Sequence, residues 1–231
     1  MRKPVVDYRE FRLSRLNEPR FSHLKYLSGW IVYFLLYLLT ENLIPVENCH
    51  PIHCALDDIV PFNELFVIPY VFWYALIVIS LVWFALYNTD RFRTFQIYLI
   101  VTQLIAMAVY IIYPSRQDLR PLVFERDNVL TRIVGFLYTL DTNTGVCPSL
   151  HVAYSLGIAS TWVKEKSANP WWKGFVVFAA GLISISTAFV KQHSVVDIFA
   201  AIPLCMLAEW IAYGPYWREK LAGWKAQKAK P

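Results

Sequence analysis

Long apolar runs alternate along the chain with short charged stretches. Six apolar segments can be read, at about 25–44, 65–87, 94–113, 149–163, 171–190 and 194–214. Crossing a hydrocarbon core as a helix takes roughly 20 residues, and most of these runs are that long. The run at 149–163 is shorter and carries Ser155, Gly157, Ser160 and Thr161. Small residues let helices approach closely, so it reads as a packed interior helix. Trp30, Trp73, Trp83, Trp162, Trp171, Trp172 and Trp210 fall mostly near segment ends, where an interfacial aromatic belt belongs. The pattern predicts an all-α polytopic membrane protein. A six-transmembrane-helix bundle spans 25–214, between a basic N-terminal segment (1–24) and a basic tail (215–231).

Charge placement adds an orientation. The N-terminal segment holds Arg2, Lys3, Arg9, Arg12, Arg15, Arg20 and Lys25; the 88–93 turn holds Arg91 and Arg93; the 164–173 turn holds Lys164, Lys166 and Lys173; the tail holds Arg218, Lys220, Lys225, Lys228 and Lys230. With six crossings all four fall on one side, which the positive-inside rule makes the cytoplasm. Both termini are then cytoplasmic. The 45–64 loop, with Glu47, Asp57, Asp58 and Glu64 but no Lys or Arg, lies outside, as do the 114–148 loop and the 191–194 turn. Within 114–148 the stretch NVLTRIVGFLYTL reads either as a short amphipathic helix on the membrane surface or as a lid over a site. The N-terminal segment reads as a surface helix on anionic lipid or as a solvated tail that only sets topology. Met1 is followed by a charged stretch, and the first apolar run lacks a small-residue cleavage site, so that run is expected to be an uncleaved anchor.

Composition agrees. Of 231 residues 57% are hydrophobic and 17% charged, against about a quarter charged in soluble domains. No linker or internal repeat divides the chain, which favours one catalytic domain. The net charge of +5 raises nucleic acid as a partner, but no basic stripe or base-stacking motif supports it. The expected partners are the bilayer and a lipid.

Three patches carry chemistry: YPSRQDLRPLVF at 113–124, GVCPSLHVAYS at 145–155 and ISTAFVKQHSVVDIFA at 185–200. Each lies where an expected helix meets the outer face, so residues distant in sequence converge at one membrane depth. Ionisable residues in membrane segments are costly and by default signal function. Pro148 suits a helix start, and the free N–H groups of that turn with Ser149 form an anion site. Arg120 offers a planar fork for phosphate oxygens, and Lys191 a mobile charge. His193 and Asp197 are spaced i, i+4 on one expected helix face, so the carboxylate can fix the imidazole tautomer. His151, on another helix, is placed to act as general acid. The bland alternative is a set of satisfied interfacial residues.

At these residues the sequence resembles the type 2 phosphatidic acid phosphatase superfamily, known by the motifs K-x6-R-P, P-S-G-H and S-R-x5-H-x3-D. The second appears as Pro148-Ser149-Leu150-His151, and the third as Ser186-Thr187, five residues, His193, three residues, Asp197. The first is reduced to Arg120-Pro121, with Tyr113 where Lys is expected. The PSLH form resembles the branch holding inositol phosphorylceramide synthase-like proteins. The resemblance covers about 60–213 and implies His193 as a nucleophile forming phosphohistidine, Asp197 as its orienter and His151 as acid. It implies Arg120 and Ser149 as phosphate ligands; Lys191 and Arg116, by charge and position, are candidates for the missing cations. The expected activity is hydrolysis of a lipid phosphomonoester or diphosphate at the outer face of the plasma membrane. The alternatives are a lipid phosphotransferase and a non-catalytic lipid-phosphate transporter or binding protein. That mechanism uses no metal and no cofactor. Cys49 and Cys54, in CHPIHC, are expected to form a disulfide outside the cytoplasm, with zinc binding beside His50 and His53 as the lesser alternative. Cys147 and Cys205 read as small apolar residues.

Overall fold

The apolar runs do become helices, and their ends are set by recognisable caps. In the computed structural model, which describes residues 3–228, the α-helices are α1 (Ser28–Leu43), α2 (Ala55–Ile59), α3 (Val67–Tyr87), α4 (Thr89–Ile112), α5 (Val129–Leu140), α6 (Leu150–Lys164), α7 (Pro170–Phe189) and α8 (Val195–Lys228). Arg2 and Lys230, counted among the topology-setting charges, lie outside the described residues. Asn88, Asn128, Ser149 and Asn169 each accept a first-turn N–H at the starts of α4, α5, α6 and α7, the usual work of an N-cap. Pro170 opens α7, where its missing N–H is harmless.

Among the described residues four helices are long and apolar enough to cross a membrane: 64–87, 89–112, 170–189 and 195–220. The helices α1 and α6 have 16 and 15 residues, which is only about 24 and 22 Å of rise. The short α6 is the most enclosed. It packs on α3, α4, α7 and α8, and most of its side chains are buried. Gly157 lets it approach α4, because a Cβ there would run into the Tyr98 ring. The helix α1 stands at the periphery, leaning on α4. Trp73 and Trp162 face the interior rather than a belt, since α3 and α6 turn those faces to their neighbours; Trp171 and Trp210 are exposed.

At the end of the bundle that carries the 88–93 and 164–173 turns, the N-terminal residues are neither a surface helix nor a free tail. They form short 3-10 turns at Tyr8–Glu10, Leu13–Arg15 and Ser22–Leu27. Phe21 and His23 are fully buried, the Tyr8 hydroxyl donates to Ala85 O at 2.8 Å, and Arg93 Nη2 donates to Ser22 Oγ. The helix α8 runs on through Pro203 and Pro215, so the expected tail from 215 begins as helix. Near that same end Lys164 pairs with Glu209 at 2.6 Å, with Lys164 Nζ 4.4 Å from the Tyr213 ring centre. Pairing answers the cost of a carboxylate within an apolar helix.

At the opposite end the connecting segments are knitted together by backbone. The strands β1 (His50–Pro51) and β2 (Ser115–Arg116) pair in parallel, with His50 N donating to Pro114 O and Ile52 N to Arg116 O, both 2.8 Å. Gln117 N then donates to Asn143 O, and Gly145 N to Ser115 O. The cysteines are free thiols, contrary to the expected Cys49–Cys54 bridge. The intervening strand holds the chain extended, Cys49 is buried with Sγ toward Pro45 O, and Cys54 is taken up as the N-cap of α2.

Candidate active site

The starts of α6 and α8 meet at this knitted end. Ser149 N donates to Asp197 O at 3.1 Å, joining the two helices by backbone, while Ser149 Oγ caps α6 through Val152 N at 3.4 Å. His193 lies in the turn before α8, not on the helix face that the i, i+4 spacing suggested. That turn is folded back on Thr187, whose carbonyl accepts both Gln192 N and His193 N. The contact with Asp197 is still made, Nδ1 to Oδ2 at 3.2 Å, and Ser194 N donates to the same oxygen at 2.9 Å. Asp197 is fully buried, and its Oδ1 has no hydrogen-bond partner among the described residues. An imidazole held through Nδ1 keeps Nε2 as its open nitrogen.

His151 stands across from His193, with ring centres 5.7 Å apart. It is stacked on Tyr70 at 4.6 Å and leans on Trp73 at 4.5 Å. Its Nε2 is buried without a partner among the described residues, as are the Tyr70 hydroxyl and Trp73 Nε1. Buried polar atoms are rarely left unpaired, and these three belong to residues lining one cavity.

That cavity has a volume of about 480 Å³. Its polar end is formed by His151, His193, Gln192, Asp141, Thr142 and Thr144; its long walls are Trp30, Tyr33, Phe34 and Tyr37 of α1 and Trp73, Tyr74, Ile77, Val78 and Leu81 of α3, with Tyr110 of α4, Leu137 of α5 and Tyr154 of α6 also in the lining. From Tyr70 to Leu81 along α3 is about 16 Å at helical rise. The cavity is therefore a groove between α1 and α3, with chemistry at one end and apolar walls along its length.

The four expected phosphate ligands have other engagements. Arg120 donates from Nη2 to Asp141 O, Thr142 O and Gln192 Oε1 (2.9, 2.7 and 2.5 Å), and from Nη1 to Tyr138 O. It thus caps the C-terminal carbonyls of α5 and meets the cavity through three residues that line it, Asp141, Thr142 and Gln192, rather than lining it itself. Burial pulls its pKa below the usual guanidinium value, partly offset by Asp141. Lys191, at φ 54°, turns away from the histidines and donates to Asp57 O at 3.0 Å and Val60 O at 2.5 Å. Burial lowers its pKa, against the pull of Asp57 and Asp58. Arg116 pairs with Asp118 at 3.1 Å and donates to Val46 O. Ser149 is buried in its capping role. Tyr113, at the position where the motif has Lys, stacks on His50 at 4.4 Å.

Two acidic residues were not read as part of the site: Asp141, and Asp57, which entered only as one of the loop's topology-setting charges. Asp141, at the C-cap of α5, lines the cavity within electrostatic reach of His193 and accepts from the Tyr37 hydroxyl at 3.1 Å. Burial raises its pKa, against the opposing influence of His193, Tyr37 and Arg120. Asp57, in α2, reaches the head of α8: Ser194 Oγ donates to its Oδ2 at 2.6 Å and Val195 N to its Oδ1 at 2.8 Å. Only the polarity of the DTNTG and DDIV stretches hinted at either. No family model, curated protein or solved structure matches the chain.

Proposed function

We propose that the chain is a membrane enzyme that cleaves a phosphomonoester or diphosphate of a lipid through a phosphohistidine on His193, at the outer face of a six-span bundle. The observation that carries this is the meeting of His193, Asp197 and His151 at the polar end of a groove whose length is apolar. A soluble phosphate ester has no use for such a groove, whereas a lipid fills both parts of it. His193 Nε2 attacks phosphorus while Asp197 holds Nδ1–H and balances the charge forming on the ring. The ester oxygen leaves with a proton from His151. Water then attacks the phosphohistidine, gives its proton to His151, and frees phosphate and His193. The unpaired Tyr70 hydroxyl and Trp73 Nε1 supply hydrogen bonds for phosphate oxygens, and the motif resemblance at 148–151 and 186–197 supports the same roles.

The topology belongs to this proposal. The 3-10 turn at Ser22–Leu27 lengthens α1 toward a crossing, and α6, sheathed by four helices, need not match the bilayer thickness itself. The basic turns gather at the end away from the histidines, so both termini are assigned to the cytoplasm and the site to the outside of the plasma membrane. Val129, Ile133, Phe136 and Leu140 form an exposed stripe on α5, which suits a helix lying on the membrane surface over the groove.

A lipid phosphotransferase is the second reading, and Asp141 is the observation that favours it. No Lys or Arg among the described residues lines the cavity, while a carboxylate does. A phosphodiester monoanion meets less repulsion there than a dianionic monoester, and Asp141 can receive the proton of an acceptor hydroxyl. The purified protein should be assayed against phosphatidate, phosphatidylglycerophosphate and a polyprenyl diphosphate. Phosphate release without an added lipid acceptor is expected; turnover only with an acceptor establishes the transferase. Inactivity with all of them, or activity that survives loss of His193, refutes the proposal.

A further inference from the structure

The helix α8 begins with a competition for carboxylate oxygens. Its opening N–H groups are divided between two acids: Ser194 N goes to Asp197 Oδ2 and Val195 N to Asp57 Oδ1, while Val196 N is met by Ser194 Oγ. Asp197 is the acidic residue of the first turn itself, and it must also hold His193 Nδ1. A helix start draws negative charge to its unpaired N–H groups. If Val195 N had no other acceptor, the Asp197 carboxylate would be drawn into the helix start and away from the imidazole.

Asp57 prevents this from the far side of the sequence. It is almost completely buried, and its carboxylate accepts Ser194 Oγ, Val195 N and Cys54 N. The residues immediately after His193 are thereby held by a side chain 137 positions earlier in the chain. The backbone carbonyls of Asp57 and Val60 receive Lys191 Nζ on the other side of His193, so the turn is gripped at both ends by one short segment. We infer that Asp57 is a positioning residue for His193: by satisfying the head of α8 it leaves Asp197 to orient the imidazole. The inference builds on the phosphohistidine reading, and it places in the outer segment a requirement that no motif contains.

The test compares Asp57→Ala and Asp57→Asn with Glu64→Gln in the full-length protein in detergent. Glu64 is the matched control, a buried carboxylate of the same segment that binds Arg126 and Asn128 and does not touch the turn. With a lipid phosphate, Asp57→Ala should lower kcat about 100-fold, the scale of a misplaced reacting group, with KM changed by less than about threefold because the groove is untouched. Asp57→Asn, which keeps one acceptor oxygen, should lose about 10-fold. Glu64→Gln should lower the melting temperature with kcat preserved. Hydrogen–deuterium exchange supplies a readout independent of turnover: the amides of Ser194 and Val195 should exchange faster in Asp57→Ala than in wild type or Glu64→Gln. Ser194→Ala removes one of the three bonds to Asp57 together with the cap on Val196 N, so it serves if Asp57→Ala fails to fold, with Ser194→Thr, which keeps the hydroxyl, as its rescue; kcat should fall about fivefold in Ser194→Ala and recover in Ser194→Thr. Equal kcat losses in Asp57→Asn and Glu64→Gln, or unchanged exchange at Ser194 and Val195, would overturn the inference. If the wild-type protein shows no phosphate transfer at all, the reading of function falls, and the exchange result alone decides whether Asp57 positions the turn.

Discussion

Replacing Asp197 with Asn separates the two services a carboxylate can give to His193, orientation and charge. Asp197 Oδ2 accepts from both His193 Nδ1 and Ser194 N, while Oδ1 accepts from nothing among the described residues. An Asn side chain with its oxygen at the Oδ2 position keeps both bonds and the same tautomer, and the thiol of Cys147, which also interacts with the Asp197 carboxylate, is a soft partner for which an amide can replace the carboxylate at small cost. What disappears is the charge. With charge centres about 4 Å apart and an effective dielectric near 20, a full imidazolium loses about 4 kcal/mol. If half the charge has formed in the transition state, the loss is about 2 kcal/mol. Asp197→Asn should therefore lower kcat between about 30- and 1,000-fold, while a phosphohistidine can still be trapped, more slowly. The assay is single-turnover phosphate release from a detergent-solubilised lipid phosphate, with acid-quench trapping of the phosphoenzyme. Activity within threefold of wild type would refute the electrostatic role. Complete absence of the phosphoenzyme, matching His193→Ala, would refute the claim that Asn preserves the orientation.

The histidines should separate by leaving group: His193→Ala abolishes turnover of lipid and aryl phosphates alike, whereas His151→Ala loses about 100-fold or more on the lipid and far less on the aryl ester, whose phenolate needs no proton; the reverse pattern in parallel assays would exchange their roles. Arg120→Ala should reduce both activity and melting temperature more than Arg116→Ala, because it strips the carbonyl cap from α5 beside Gln192; equal effects would contradict that bracing role. Gly157→Ala should destabilise the fold by about 1–3 kcal/mol through overpacking against Tyr98, measured as a lowered melting temperature in detergent. Burial opposes ionisation of Asp57, but hydrogen bonds from Ser194, Val195 and Cys54 prevail and hold its pKa below the ordinary 3.8. The stability it contributes is full above that value and lost as pH falls through the lower folded one, so melting curves taken across that range should drop in wild type and flatten in Asp57→Asn.

The helices were legible because an apolar run leaves few alternatives to a membrane helix, and α3 and α7 fall within a few residues of their expected ends. The start of α4 was less legible: TDRFR is polar, yet Asn88 caps it and the helix begins five residues before the apolar run. The last apolar run was expected to end at 214, and α8 continues past it through Pro215. In the candidate site, the nearness of His151, His193 and Asp197 followed from their common position at helix starts. The direction of the cations did not follow. A sequence reports that Lys191 is charged, but whether it points at a cavity or at the carbonyls of Asp57 and Val60 depends on a backbone at positive φ and on a segment 131 residues away. Asp57 and Asp141 were hidden for the same reason, since their partners lie across loops rather than along a helix.

The knitted end, where the connecting segments join, bears on how such a protein can change over generations. Its joints, from His50 N to Pro114 O, Ile52 N to Arg116 O, Gln117 N to Asn143 O and Gly145 N to Ser115 O, use only main-chain atoms. Main-chain joints survive most side-chain replacements; proline at a donating position is the clear exception. Exposed side chains on these segments can therefore be exchanged while the four main-chain joints persist, whereas Ser115 and Asn143, whose side chains also tie the segments together, are less free to change. Change has freedom there that it lacks at Asp57, where a single carboxylate answers three donors at once.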